Sequence, residues 1–444
     1  MLTLDSVRNC LEGAIPSTVA TCSPDGTPNL TLVSQVHYVD SSHVALSFQF
    51  FNKTRQNVLA NPQVTANVID PETAAQYRLD LRFLRTETFG PVFESMKAKL
   101  AGIASHTGMT GIFRLQGSDI YQVLNITEVP GRPLPLTSQR RNLLSAVRSC
   151  SVLLNQSADL ETLLDHALAG LASQFRIRHS MILMLDRAGR RLYTVGSLGY
   201  RQSGVGSEIA LGCGVIGVAA EQGVPIRITH MTAEYSYSRA MRDSVERAGM
   251  GGKLETAIPL PGLEESRSQM AVPIAFGKEA LGVLYVESPE DMRFNYDDED
   301  ALVAVASQLG TAIHSLQQNT EAHDAAPASA PVNTSVSGAA VVIRHYAADD
   351  SIFIDDDYLI KGVAGAIFWK LLHDYNRNQR TDFSNRELRL DPTLGLPDIT
   401  DNLEARLILL QRRLSERNAP QRIEKTGRGR LRLHVTRPFT LIEK

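Results

Sequence analysis

Residues 48–62, FQFFNKTRQNVLANP, carry the residue types best suited to hold an anion. An apolar strand expected over Val44–Phe50 leads to Asn52, Lys53, Thr54 and Arg55, and then to a short helix ending at Asn61-Pro62. A Thr or Asn ahead of a first helical turn caps its open N–H groups, and that helix end attracts negative charge. Two cations at the same place suit a phosphate or a carboxylate. A capped surface helix with solvated basic side chains is the competing account.

A second concentration of reactive side chains lies near the middle of the chain. Cys213 sits in the Gly-rich run GCGVIG, and His230, Tyr235, Tyr237 and Arg239 follow in a long polar segment. Together they could line a ligand pocket. Equally, Cys213 could be a small buried residue in a turn, and His230 a loop or core histidine bonded to the backbone. A metal site needs three or four convergent ligands, and no HxxxH or CxxC spacing supplies them. No metal and no catalytic residue is therefore assigned.

The elements that must position the first group read as strands. Ile15–Thr21, the turn Asp25-Gly26, and the apolar runs after it have the short spacing of an all-β sandwich or barrel. With Phe51–Asn57 and Asn61-Pro62-Gln63-Val64, this region resembles the FMN-binding split-barrel family related to pyridoxamine 5′-phosphate oxidase. The resemblance covers residues 10–130, within a domain placed at 1–130. It implies that Lys53, Thr54 and Arg55 touch the flavin phosphate, with Asn57 supporting that turn. Ser34, Ser47 and Gln49 would face the isoalloxazine or ribityl chain. It further implies a homodimer with flavin at its interface. The chain has no counterpart of the family's C-terminal substrate-gripping segment; VPGRPLPL, residues 129–136, stands there instead.

Beyond that Pro-rich hinge, Leu143, Val147, Cys150 and Leu154 mark one face of a helix. A second helix over Asp159–Gln174, strands at His179–Asp186 and Arg191–Gly199, a later strand pair and a helix striped by Leu302, Val305, Leu309, Ile313 and Leu316 follow. On Gly212–Gly217, Ala219-Ala220, Met270–Ile274 and Gly282–Leu284, this module resembles a GAF domain, an antiparallel sheet with helices, placed at 137–318. Such domains bind small molecules or dimerise. Residues 319–340 are rich in Ala, Pro and Ser, a linker composition.

The last module, 341–444, separates its charge. Residues 338–400 hold 7 Lys or Arg against 10 Asp or Glu, whereas residues 401–444 hold 11 against 5. Leu403, Leu407, Leu410 and Leu414 stripe a helix whose adjacent face carries Asn402, Arg406, Arg413 and Arg417, with Arg412 nearby. A strand, the basic turn TGRGR and another strand follow. A basic helix and hairpin suit a major groove and its phosphates; solvated arginines are the plainer account. Residues 341–437 resemble the winged-helix effector domain of OmpR-type response regulators. That implies DNA contacts from Asn402, Arg406, Arg412, Arg413, Arg417, Arg428, Arg430 and Arg432.

Composition agrees with a multi-domain α+β protein. At 444 residues the chain suits about three domains, and 43% hydrophobic with 21% charged residues is ordinary for globular proteins. No apolar run reaches membrane-span length, the N-terminus lacks a signal-peptide pattern, and the scattered Cys10, Cys22, Cys150 and Cys213 fit a reducing cytoplasm. Two functions stay in competition: a cytoplasmic, flavin- or ligand-sensing transcriptional regulator, and an FMN-dependent oxidoreductase with regulatory modules.

Overall fold

A computed structural model describes residues 2–13, 15–33, 36–48, 53–97, 115–135, 142–229, 258–322, 337–394, 403–427 and 429–444. Its N-terminal unit is one antiparallel seven-stranded sheet in the order β2-β1-β5-β6-β7-β4-β3. The strands are β1 (Ser17–Cys22), β2 (Pro28–Val33), β3 (His37–Asp40), β4 (His43–Phe48), β5 (Gln63–Ile69), β6 (Gln76–Glu87) and β7 (Gly117–Glu128). The β1–β2 hairpin turns at Gly26, whose φ of +87° lies where glycine carries no steric penalty. Alternate residues of β5 and β6, among them Val64, Ala66, Val68, Leu79 and Leu81, fill the core. Helix α1 (Lys53–Ala60) crosses from β4 to β5.

The central unit is a six-stranded antiparallel sheet, β10-β9-β8-β13-β12-β11. Its strands are β8 (His179–Asp186), β9 (Arg191–Leu198), β10 (Glu208–Ala210), β11 (Ile226–Ile228), β12 (Ser268–Phe276) and β13 (Glu279–Ser288). Helices α2 (Leu143–Asn155), α3 (Leu160–Gln174) and α5 (Tyr296–Ala322) pack together, with α3 and α5 also against the sheet, while α4 (Gly214–Gln222) packs against β10–β13. Asp159 caps α3, accepting from the Thr162 N–H at 2.9 Å, a contact of about 1 kcal/mol. The α5 stripe is buried from Leu302 to Ile313. Because α5 runs to Ala322, the first residues of the expected linker are helical; residues 323–336 lie outside the described residues.

The C-terminal unit opens on β14 (Val341–Tyr346), β15 (Ser351–Ile354) and β16 (Asp357–Ile360), joined by the final strand β20 (Phe439–Glu443), which runs parallel to β14. Three helices follow, α6 (Gly362–Asn378), α7 (Asn385–Leu390) and α8 (Leu403–Glu416). A three-stranded sheet, β17-β19-β18, is built from β17 (Asp382–Ser384), β18 (Gln421–Gly427) and β19 (Arg430–Val435). Ser384 and Glu387 form a reciprocal capping box on α7. Among the described residues no helix is long and apolar enough to cross a membrane.

The central unit touches each of the other two. Arg227 on β11 pairs with Glu12 of the N-terminal unit and with Glu299 of α5 at 2.8 Å. The Tyr296 hydroxyl donates to the Leu11 carbonyl at 3.2 Å. On the opposite side, α8 packs against α3 and β9.

Candidate functional site

In the N-terminal unit, α1 begins Lys53-Thr54-Arg55 with no acidic residue in its first turn, so its open N–H groups and Lys53 act in the same sense. Lys53 is exposed. The Thr54 hydroxyl accepts from the Asn29 amide at 3.0 Å, and that amide also reaches the Thr21 hydroxyl at 3.2 Å. Asn57 is buried and donates to the same Thr21 hydroxyl at 3.2 Å. Together these bonds fasten α1 to β1 and β2. Arg55 is placed differently from the expectation that it reaches outward to a phosphate. Its guanidinium pairs with Asp119 on β7 and donates to Thr86 on β6 at 3.0 Å, and Thr86 in turn donates to Asp119 at 2.6 Å. With a carboxylate already on Arg55, the charge offered at the helix start comes from Lys53. Nothing in the run KTRQN points to Asp119, 64 residues further on.

Ser47 is exposed on β4, directly across from Ser118 on β7. The Ser118 hydroxyl is buried and without a hydrogen-bond partner among the described residues. Ser34 and Gln49 lie outside the described residues. The donor set at α1, an ammonium, a hydroxyl and a helix start without acids, fits the phosphate of a flavin mononucleotide.

In the central unit, Cys213 is exposed and precedes α4 with no side-chain cap. Gly212 and Gly214 flank it with φ of +78° and +59°. His230, Tyr235, Tyr237 and Arg239 lie outside the described residues. A polar group that the sequence did not single out sits on the sheet. Glu287, at the end of β13, is buried and accepts from the Leu263 N–H at 3.0 Å, with the Tyr285 hydroxyl at 3.5 Å. Burial, reinforced by the Glu287 charge, pushes the Tyr200 phenol well above its ordinary pKa. The signal of Glu287 in the sequence is faint: an acid following the apolar run Leu281–Val286 of β13. Among the described residues no cluster of His, Cys, Asp or Glu is placed to hold a metal ion.

The basic helix α8 departs most from expectation. Of the arginines assigned to its outer face, Arg406 and Arg413 are buried. The Arg406 guanidinium lies 3.9 Å from the centroid of the Tyr193 ring and 3.3 Å from Asp186. Arg412 donates to the Val195 carbonyl at 3.0 Å and to Asp165 at 2.6 Å. Arg413 donates to the Leu359 carbonyl at 3.1 Å and to Glu416 at 3.0 Å, and burial holds its pKa below the ordinary arginine value. Arg432 on β19 is buried against Asp382 at 2.7 Å. Arg417 is exposed and Arg430 half-buried, while Asn402 and Arg428 lie outside the described residues. The physical reason is a second apolar face. Ala405, Ile408 and Leu409 are buried as well as the leucine stripe, and a helix apolar on two sides is enclosed rather than amphipathic.

A split barrel followed by a GAF-type sheet defines the class: a mixed α/β multi-domain protein joining a flavin-binding fold to a ligand-sensing one. Residues 3–110 match the family model described as pyridoxamine 5′-phosphate oxidase, and residues 157–314 match that of the GAF domain. The chain thus carries an N-terminal unit of the first family and a central unit of the second. Among solved structures, the GAF domain of an Acinetobacter phosphoenolpyruvate-protein phosphotransferase is 20% identical, covering 40% of this chain and 97% of that one at a TM-score of 0.32. An FMN-binding protein from Syntrophomonas wolfei is 14% identical over 29% of this chain and 86% of its own, at 0.25. Free methionine-R-sulfoxide reductase from Neisseria meningitidis is 17% identical over 41% and 96%, at 0.31. A comparison with curated proteins returned no match.

Proposed function

We propose that this chain is a flavin- and ligand-responsive regulator whose C-terminal unit is a winged-helix DNA-binding module. The observation that carries the DNA reading is the order of elements. Strand β17 falls between the first two helices, and the β18–β19 hairpin follows the third and pairs with it. Three helices closed by such a sheet support a winged-helix reading, with the paired Gly427 and Arg430 closing the hairpin. The Lys and Arg excess of residues 401–444 supports an anionic partner.

In the N-terminal unit FMN is the cofactor the family and the α1 donor set favour. When bound, it supplies a redox-active ring whose state the protein can read. The chain's own residues do the holding. Lys53 and the α1 start bind the phosphate, Thr54 and Asn29 keep that start fixed, and Arg55 with Asp119 braces α1 against β7. Leu30 and Leu32, exposed on the edge strand β2, support association with a second copy. Ligand control requires unequal affinity for two conformations, and the contacts joining the three units give a route for it.

Titration of the full chain with FMN, followed by quenching of flavin fluorescence, tests the first half. Saturable binding that weakens roughly tenfold or more in Lys53→Ala is expected, the loss of a charge-assisted hydrogen bond. No binding in the wild type would sink the flavin assignment. Retention of duplex DNA that falls steeply with salt tests the second half.

A further inference from the structure

Away from the α1 site, α8 meets the GAF domain along a seam with α3 and β9. We infer that the GAF domain covers the DNA-reading face of α8, its carboxylates standing where duplex phosphates would bind. The inference rests on the winged-helix reading and adds its regulation.

The seam matches charge to charge. Asp186 faces Arg406 at 3.3 Å, Asp165 takes Arg412 at 2.6 Å, Asp159 lies 3.9 Å from Lys425, and Glu208 lies 3.2 Å from Lys361. Every basic group named here belongs to the C-terminal unit and every acid to the GAF domain. A duplex backbone presents the same chemistry, closely spaced anionic oxygens, and the two partners cannot hold one guanidinium at once.

Shape makes the exclusion complete. A Cβ on Gly196 of β9 would come within 2.6 Å of the Arg412 guanidinium and 3.3 Å of Leu168. One on Gly206 would lie 3.6 Å from both Leu409 and Arg413. The helix therefore lies flat on bare strand and loop backbone, with no space left for a groove wall. Residues 403–414 are all buried or half-buried, whereas a helix reading DNA needs one open face.

The seam joins these ion pairs to an apolar contact, because Ala405, Ile408 and Leu409 of α8 belong to the same buried cluster as Leu168, Val195 and Val205 of the GAF domain. A cavity of about 650 Å³ lies beside the C-terminal end of α8, lined by Ser203, Ile258, Tyr358, Arg413, Glu416 and Arg417 among others. The segment that tethers the C-terminal unit, residues 319–340, has linker composition.

The test uses the full chain and two variants that act from the GAF side. Asp165→Arg reverses a partner whose side chain is 60% exposed, and Gly196→Val wedges the seam sterically. Amide exchange across α8 and β18 reports opening, and retention of a mixed-sequence duplex at several salt concentrations reports binding. Opening in either variant, with duplex affinity raised about tenfold and a steeper salt slope, is the expected result. Unchanged protection in both variants overturns the inference. So does a wild-type chain that binds duplex as tightly as the opened variants, and the DNA reading then survives alone. Faster exchange with no duplex binding in any chain removes the DNA reading instead, and this competition with it.

Discussion

The guanidinium of Arg227 and the carboxylate of Glu12 form an ion pair across two domains, with side chains 1% and 3% exposed. Glu12 also accepts the Tyr296 N–H at 2.8 Å, and the Arg227 guanidinium lies 4.4 Å from the centroid of the Tyr296 ring. Burial opposes the Arg227 charge, but Glu12 and Glu299 outweigh it and raise the pKa. The joint between the barrel and the GAF domain is thus held by charges without access to water.

Removing one side of that joint should be costly. Glu12→Gln leaves Arg227 with Glu299 as its remaining carboxylate and should destabilise the fold by about 3 kcal/mol. Chemical denaturation measures it. A loss below about 1 kcal/mol would mean that water reaches the pair.

Lys53 and Arg55 should separate in their effects. Lys53→Ala is expected to weaken flavin retention while leaving the melting temperature close to wild type, because Lys53 is exposed. Arg55→Ala leaves the Asp119 carboxylate, 8% exposed, with Thr86 as its remaining side-chain partner among the described residues, and should lower stability by about 2 kcal/mol. Equal melting temperatures in the two variants would contradict the bracing role.

Gly217 tests the packing of α4. A Cβ there would lie 2.3 Å from the Ala210 carbonyl oxygen, and backbone cannot swing aside as a side chain does. Gly217→Ala should destabilise the GAF domain by about 1–3 kcal/mol, read as a lower denaturation midpoint. A neutral result would mean that β10 shifts freely.

The thiols should react in order of exposure and impose an alkaline limit. Cys213 is exposed and should label rapidly, while Cys10 and Cys150 should label only on unfolding. Burial raises Cys10 from 9.0 to about 12 and Cys150 from 9.0 to about 11. An acid whose folded pKa is raised holds its proton in the folded state after the unfolded chain has lost it. Stability is therefore full below about pH 9 and falls as pH rises towards 11–12. Denaturation midpoints at pH 8 and about pH 10 check the sign; a rise would refute it.

Local patterns were legible in the sequence where one segment decides them. The Asp25-Gly26 turn and the α5 stripe from Leu302 to Ile313 depend on neighbours a few residues away, and they stand as read. Pairings across long separations were not. Arg55 reads as a phosphate ligand until Asp119 is brought to it by the β4–β7 register, and Arg227 gives no hint of Glu12. In α8 the leucine stripe hid Ala405, Ile408 and Leu409, whose burial requires a partner outside the C-terminal unit. Glu287 has only Tyr285 beside it in sequence, since Tyr200 and Leu263 arrive from separate loops.

The enclosure of α8 also bears on how such a chain could change through descent. Arg406 and Arg412 must suit Tyr193, Asp186 and Asp165 of the central unit. A lineage that altered either face would have to alter the other in step, and paired substitutions at Arg412 and Asp165 are the expected trace.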